Sequence, residues 1–507
     1  MKPQIAILGR TLVAATAATA VYGQSAAVRD APAAVADMER TLVDLIGRTE
    51  PSVVAISRAA PRQSAPAVQR HDDAFAEFRG RAAMENAASI VGAGVIIDPD
   101  GSVLTQYLAV REGDEHTVST MDGTRYRAAI RGADPRSGLA VLKIDATAGG
   151  RPQRDESPGT GPGSFPAIPL GDASTLRKGQ FVVALGNPYA IASDGQPTAS
   201  WGTITNLARK APAGTNFNDA PGPNNDHRTT LHHLGTLIQT DARLGWNAGG
   251  GAVVNLRGEL IGVTTTAATI AGHEQPAGYA IPINAVMRRI IETLRQGREV
   301  EYGMLGVGFG QAVVDAAPQG STPLRISQVY PGGPAARGGL MPGDMITRVG
   351  TSRVDNIDAV QLAISAMPPQ TTTTIEYERG GRTASATVTL AKLAVAGKQI
   401  AAQRPDAWRG IRVDYATALN AVQLAQAISS GAYDEGGCVL VTEVEPQSAA
   451  WRAGVRPGMF ISHVGGRRVA TPQEFRAAAR NVPADRLDVR LTQPATPNKN
   501  ENQKTSP

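Results

Sequence analysis

Groups able to carry nucleophilic or acid–base chemistry are sparse in this chain, and their spacing does not assemble them. A hydroxyl or thiol becomes a nucleophile only with a base within hydrogen-bond reach. The one cysteine, Cys438, lies in the apolar run Cys438-Val439-Leu440-Val441 and reads as a buried strand residue with no disulfide partner. Of the seven histidines, His116 falls in the period-two segment His116-Thr117-Val118-Ser119 and reads as a surface strand position. His227, His232 and His233 fall with Asp226 in a run rich in Asn, Gly and Pro, from Ala211 to His233, which reads as a surface loop. A metal site needs three or four converging ligands and the groups that orient them. None is evident, so neither a metal nor a cofactor is expected. Ser137, Ser164 and Ser200 have no base nearby in the sequence.

The most informative stretch is Thr240 to Val263, TDARLGWNAGGGAVVNLRGELIGV. It resembles the nucleophile loop of trypsin-like serine proteases of the HtrA (Deg, protease Do) family, in which Asp and a few spacers precede Gly-Asn-Ser-Gly-Gly and two apolar strands. Ala248 stands where that resemblance implies the nucleophilic serine, and a methyl group has no lone pair with which to attack a carbonyl. The family places its histidine after a hairpin ending Leu-Thr-x-x-His. Here the hairpin Val95-Ile96-Ile97, Asp98-Pro99-Asp100-Gly101, Val103-Leu104 is well signalled, and Leu108 stands at the histidine position. The family's aspartate lies in Asp-Pro-x-x-Asp-Leu-Ala; this chain has Asp134-Pro135-Arg136-Ser137-Gly138-Leu139-Ala140, with Gly138 in its place. A triad needs nucleophile, base and orienting carboxylate together. The resemblance therefore implies a pseudoprotease with no catalytic residues. Gly245-Trp246-Asn247-Ala248 is also one residue shorter than the family's oxyanion segment, which alters the loop expected to supply the amide pair.

The elements that position these residues follow from length and composition. A chain of 507 residues suits about three domains. Gly and Pro are abundant and aromatics make up only 4%, which suits a loop-rich, mainly β protein with aliphatic cores. The net charge of +5 is scattered, without a basic run interleaved by aromatics, so nucleic acid is not indicated. Lys2, Arg10 and the apolar stretch Thr11 to Val21 read as an export signal over residues 1–27, with an uncleaved anchor as the alternative. A helix is expected over Val35 to Arg48 and a strand over Val53 to Ile56. Another helix is expected from Asn284 to Arg295, capped by Asn284, with Met287, Ile290, Ile291 and Leu294 on one face and Gly297 at its end. Residues 59–89 are Ala-, Arg- and Pro-rich; the resemblance implies a loop there that regulates the cleft, and a trimerising segment near Phe75 and Phe78.

The C-terminal half repeats at an offset of 115 residues, matching Pro331/Pro446, Gly339/Gly454, Pro342/Pro457, Gly343/Gly458, Ile346/Ile461 and Gly350/Gly465. The repeat resembles two PDZ domains, as the HtrA plan implies. The expected architecture is a trypsin-like double β-barrel over 36–300, PDZ modules over 301–395 and 406–493, and a disordered tail over 494–507. PDZ domains bind a peptide as an added strand, with loop amides holding its terminal carboxylate. The resemblance assigns this role to Leu305, Gly306, Val307, Gly308 and Phe309, with Leu362 on the facing helix. In the second module Arg409 replaces the usual apolar residue, and Met459 stands where the first has Asp344. The implied partners are unfolded chains or C-terminal peptides, active HtrA homologues and further copies of this chain in a trimer-based assembly. The implied location is the periplasm or cell envelope. The alternatives are a serine endopeptidase with a relocated nucleophile and a structural PDZ adaptor.

Overall fold

The computed structural model describes residues 33–58, 90–110, 115–147, 164–187, 195–211, 230–243, 249–265, 278–310, 324–483 and 486–492. The entry helix spans Ala33–Thr49, and Leu45 on its inner face is buried. Six strands follow: β1 (Val53–Arg58), β2 (Ile90–Asp98), β3 (Ser102–Gln106), β4 (His116–Ser119), β5 (Arg125–Asp134) and β6 (Leu139–Ile144). They run β5-β4-β1-β2-β3-β6, and β5 pairs again with β6, closing a barrel. The predicted hairpin turn is present: the Gly101 N–H donates to Asp98 O (3.0 Å), and Gly101 has φ +88°, a conformation open mainly to glycine. A second closed barrel comprises β7 (Phe181–Gly186), β8 (Thr198–Arg209), β9 (Leu237–Thr240), β10 (Ala252–Asn255), β11 (Leu260–Thr264) and β12 (Gly278–Pro282).

One apolar core joins the barrels. It holds Leu104, Leu139 and Val141 from the first, Val183, Leu185, Val254 and Leu260 from the second, and the closing helix Ala285–Arg295. That helix buries the four predicted residues, Met287, Ile290, Ile291 and Leu294, each worth about 1.5–3 kcal/mol. Asn284 caps it, its side chain accepting from the Met287 N–H (3.0 Å).

Two further units carry the repeat. The first has β13 (Gly303–Met304), β14 (Val307–Phe309), β15 (Ile326–Val329), β16 (Met345–Val349), β17 (Ser352–Arg353), β18 (Thr372–Arg379), β19 (Arg382–Thr389) and β20 (Ala391–Lys392), with a helix at Ile357–Ser365. A short linker strand, β21 (Ile400–Ala401), follows. The second unit has β22 (Ile411–Tyr415), β23 (Val439–Val444), β24 (Phe460–Val464), β25 (Arg467–Arg468), β26 (Val489–Leu491) and a helix at Pro472–Ala479. The repeat is conformational as well as sequential. Gly339 and Gly454 have φ +78° and +83°, Gly343 and Gly458 +98° and +89°, Gly350 and Gly465 +55° and +56°.

The Asp344/Met459 difference has a local account. Buried Asp344 accepts from the Met341 N–H (2.8 Å) and pairs with Arg379 (2.6 Å). In the second unit the Met459 thioether takes the first of these bonds, from the Arg456 N–H (3.3 Å). Cys438 is buried, as expected, and burial pushes its thiol up to about 11. The architecture is therefore mainly β: two six-stranded barrels of the trypsin type followed by two PDZ units.

Candidate functional site

The segments singled out by sequence converge. Strand β3 ends at Gln106 and passes into the turn Tyr107–Ala109, which carries Leu108. The Tyr107 N–H donates to Gly138 O (2.7 Å), so the turns bearing Leu108 and Gly138 touch. The glycine run after β9 joins them. Gly249 O accepts from the Ala93 N–H (3.0 Å), the Gly250 N–H donates to Thr264 O (2.8 Å), and the Gly251 N–H donates to Thr264 Oγ1 (2.8 Å). A Cβ at Gly249 would lie 2.2 Å from Gln106 Nε2. The residue two before Leu108 therefore sits directly against the glycine loop. Ala248 lies outside the described residues, as do Gly245, Trp246 and Asn247. Leu108 is 40% exposed, an apolar side chain turned to solvent.

The environment of Gly138 was not foreseen. His232 and His233, expected on a surface loop, are instead buried in the turn Leu231–Leu234. The reason is tertiary: Leu231 and Leu234 enter the joint core, and the Leu231 N–H donates to Arg136 O (2.9 Å), drawing the turn inward. His232 Nδ1 lies 3.2 Å from Thr236 Oγ1, while Nε2 makes no well-aligned hydrogen bond among the described residues. A Cβ at Gly138 would stand 2.7 Å from that Nε2, and Gly138 itself has φ +72°. Burial, with the His233 charge adding, lowers the His232 imidazole to about 4, the Ser137 backbone opposing. Near neutral pH the ring is therefore uncharged. His116 is likewise in its predicted strand but faces inward and is buried. Asp226 and His227 lie outside the described residues.

Asp134, at the start of this turn, is held by its neighbours. It is fully buried and accepts from the Ser137 N–H (2.8 Å), Tyr302 Oη (2.5 Å) and Gln399 Nε2 (3.0 Å). Burial and this carboxylate push the Tyr302 phenol up. Ser137 has no exposed surface and its Oγ lies 3.4 Å from Asp134 O. Ser200 Oγ accepts from the Arg243 N–H (3.0 Å). Ser164 is exposed. Among the described residues no three His, Cys, Asp or Glu side chains converge as metal ligands.

The first PDZ unit presents an open loop. Leu305 is buried in that unit's core, with Val307 and Phe309 packed against it. Gly306 has φ +79°. The Leu305 and Gly306 N–H groups reach no acceptor among the described residues. Strand β14 pairs with β15 alone among the described strands, leaving one edge for an added strand. Leu362 is not brought to this cluster. It packs against the joint core of the barrels, on the helix face where Asp358 meets Lys210 (2.6 Å) and Ser365 accepts from Arg136 Nη2 (2.9 Å). The helix residues packed on the Leu305 cluster are Ile357, Ala359, Val360, Ala363 and Ile364.

The corresponding loop of the second unit forms a tight turn. The Trp408 N–H donates to Ile411 O (2.9 Å) and the Ile411 N–H donates to Trp408 O (2.8 Å). Arg409 adopts φ +54°, stacks on Trp408 (4.9 Å) and donates to Val482 O (3.4 Å). The Trp408 ring in turn meets Phe475 edge-on at 5.6 Å.

Comparison with known proteins agrees with this architecture. Residues 92–263 match the trypsin-like peptidase domain family, and residues 303–390 and 440–491 each match a PDZ domain family. A probable periplasmic DegP-like serine endoprotease of Halomonas elongata is 30% identical over 412 residues, covering 79% of this chain and 76% of that protein. One from Chlamydia trachomatis is 28% identical, covering 80% and 73%. The solved HtrA-type protease AlgW with a decapeptide is 22% identical, covering 72% of this chain and 99% of that one, at a TM-score of 0.48. This chain belongs to the HtrA/DegP-like family of trypsin-fold serine endoproteases with PDZ domains.

Proposed function

We propose that this chain is a non-cleaving member of its family, which holds unfolded polypeptides or C-terminal peptides at its first PDZ module. The observation that carries this reading is the filled space at Gly138. A carboxylate at that position would have to displace a fully buried imidazole that begins 2.7 Å from its Cβ. This occupied space supports the reading that no orienting acid stands at this position. Leu108 offers no base, and Ala248 no hydroxyl. At these three family positions no side chain is left to transfer a proton or form an acyl bond.

The open Leu305–Gly306 amides and the free edge of β14 support peptide binding through Leu305, Gly306, Val307, Gly308 and Phe309. Ala359 and Ala363 take the wall role expected of Leu362. The molecule acts as chaperone, scaffold or regulator of active homologues, in a trimer-based assembly. The relatives' designation as periplasmic supports an exported protein whose residues 1–27 form the signal. No helix among the described residues is long and apolar enough to cross a membrane. The proposed division is 36–300, 301–395 and 406–493, followed by the tail 494–507.

The test incubates the full chain with an unfolded substrate and a serine-reactive phosphonate. The expected result is retention of intact substrate with no covalent label. Labelling, or cleavage abolished by the phosphonate, favours a relocated nucleophile instead.

A further inference from the structure

The junction of the three units closes on one lysine. Lys392, in β20, is only 3% exposed, yet carries a charge that burial alone would expel. Its Nζ meets Glu299 Oε1 at 2.7 Å, Asp414 Oδ2 at 2.7 Å and Glu301 Oε1 at 3.5 Å. The two glutamates lie where the barrels hand over to the first PDZ unit, and Asp414 lies in β22 of the second. The Lys392 carbonyl also accepts from Thr417 Oγ1 (2.7 Å). Burial raises Glu301 above the usual carboxylate range, so three acids share one cation. Removing that cation leaves three partly exposed acids facing one another without their shared partner, a destabilising change.

The same lysine sits one strand from the proposed peptide site. Strand β20 pairs with β13 as Gly303↔Lys392 and Met304↔Ala391, and the next two residues are Leu305 and Gly306. Strand β13 has no slack: the Gly303 N–H donates to Met367 O (2.8 Å), and a Cβ there would lie 2.7 Å from Leu390 Cδ1 and 3.0 Å from Ile364 O. It is wedged between β20 and the end of the helix that walls the groove. Beyond Lys392 the linker is fastened along the first barrel. Tyr107 Oη donates to Lys398 O (3.0 Å), and Gln399 Nε2 to Asp134 Oδ1 (3.0 Å) and Val300 O (2.7 Å). Ile400 and Ala401 pair with Ala133 and Gly132 of β5 as a seventh strand.

We infer that Lys392 is a positioning residue for peptide binding: by latching Asp414 of the second PDZ unit to Glu299 and Glu301, it holds β13 and the Leu305–Gly306 loop in the receptive geometry. The second unit serves as the weight on this latch. The inference rests on the proposed peptide-receptor role of the first unit.

The experiment measures, on the full chain, the affinity for a fluorescent peptide with a free apolar C-terminus, together with hydrogen exchange of residues 393–403. The variants are Lys392→Met, Lys392→Arg and Asp414→Asn. Asp414→Asn removes one charge from the far unit and leaves Lys392 its two glutamates, so it keeps the test valid if Lys392→Met fails to fold. Both Asp414→Asn and Lys392→Met are expected to weaken the peptide by roughly 5- to 20-fold, within the usual range of coupling between sites, and to speed exchange in the linker. Lys392→Arg, which keeps the charge, restores most of the affinity. Faster exchange with unchanged affinity overturns the coupling, and unchanged exchange overturns the latch. If the unaltered chain binds no peptide, the receptor reading and the coupling fail together, while the exchange data still decide whether Lys392 fastens the second unit.

Discussion

The contact between His232 and Gly138 yields the sharpest energetic prediction. Gly138→Ala introduces two costs. A non-glycine residue at φ +72° is disfavoured by about 1–2 kcal/mol. A methyl group 2.7 Å from a buried imidazole nitrogen adds an overpacking cost of about 1–3 kcal/mol. The single substitution should therefore destabilise the barrels by about 2–5 kcal/mol. His232→Ala removes the obstructing ring and has its own cost, since it opens a cavity beside Thr236. In the double variant the backbone cost remains and the steric cost vanishes. A double-mutant cycle should then return a favourable coupling of about 1–3 kcal/mol. The assay is urea unfolding followed through the fluorescence of Trp201, which lies on the second barrel, with the transition of the barrels fitted separately from those of the PDZ units. Additivity within about 0.5 kcal/mol would refute the reasoning, because it would mean that the two residues do not compete for one space. The cycle also bears on reversion: a triad restored by Leu108→His, Gly138→Asp and Ala248→Ser should remain inactive while His232 is in place.

Other consequences are accessible to simpler measurements. His232 is lowered from its ordinary 6.5 to about 4 in the folded chain. Below about pH 6.5 the unfolded chain takes up the proton first, so stability falls as pH drops from about 6.5 to about 4. The gap corresponds to about 3 kcal/mol, and His232→Asn should flatten the profile over that window. Asn284→Ala removes the cap of the closing helix and should cost about 1 kcal/mol in denaturant unfolding; no change would mean that the cap is redundant. Gly306→Ala forces a side chain into φ +79°, at about 1 kcal/mol or more. It should weaken C-terminal peptide binding several-fold in an anisotropy titration.

Features written in local rules were legible from the sequence. The hairpin turn at Asp98 to Gly101, the cap at Asn284 and the paired glycines of the repeat each depend on a few neighbouring residues, and the backbone follows them. The positions of Leu108 and Gly138 were legible because the surrounding strands hold them at fixed distances along the chain. What sequence could not supply was the company those residues keep. The polar run ending at His233 gave no sign that Leu231 and Leu234 would pull His232 into the core. His116 sits in a period-two strand, but periodicity does not say which face turns inward. The family resemblance places Leu362 at the groove, but the docking of its helix on the barrels packs it against the joint core. Lys392 with Asp414, and Gln399 with Asp134, join segments whose proximity is set by how whole units pack, and charged residues in linkers read as solvated until that packing is known.

The central claim is that this molecule grips polypeptide termini without cutting them. The most direct measurement pairs binding with intact mass on the same sample. A peptide with a free apolar C-terminus and its C-terminal amide are each titrated against the full chain, incubated for many hours and recovered. The account predicts that the free carboxylate binds at least about tenfold more tightly, as expected when a charge-assisted hydrogen bond is lost, and that both peptides return at full length. Equal binding of the amide, or fragments that accumulate with time, would contradict it.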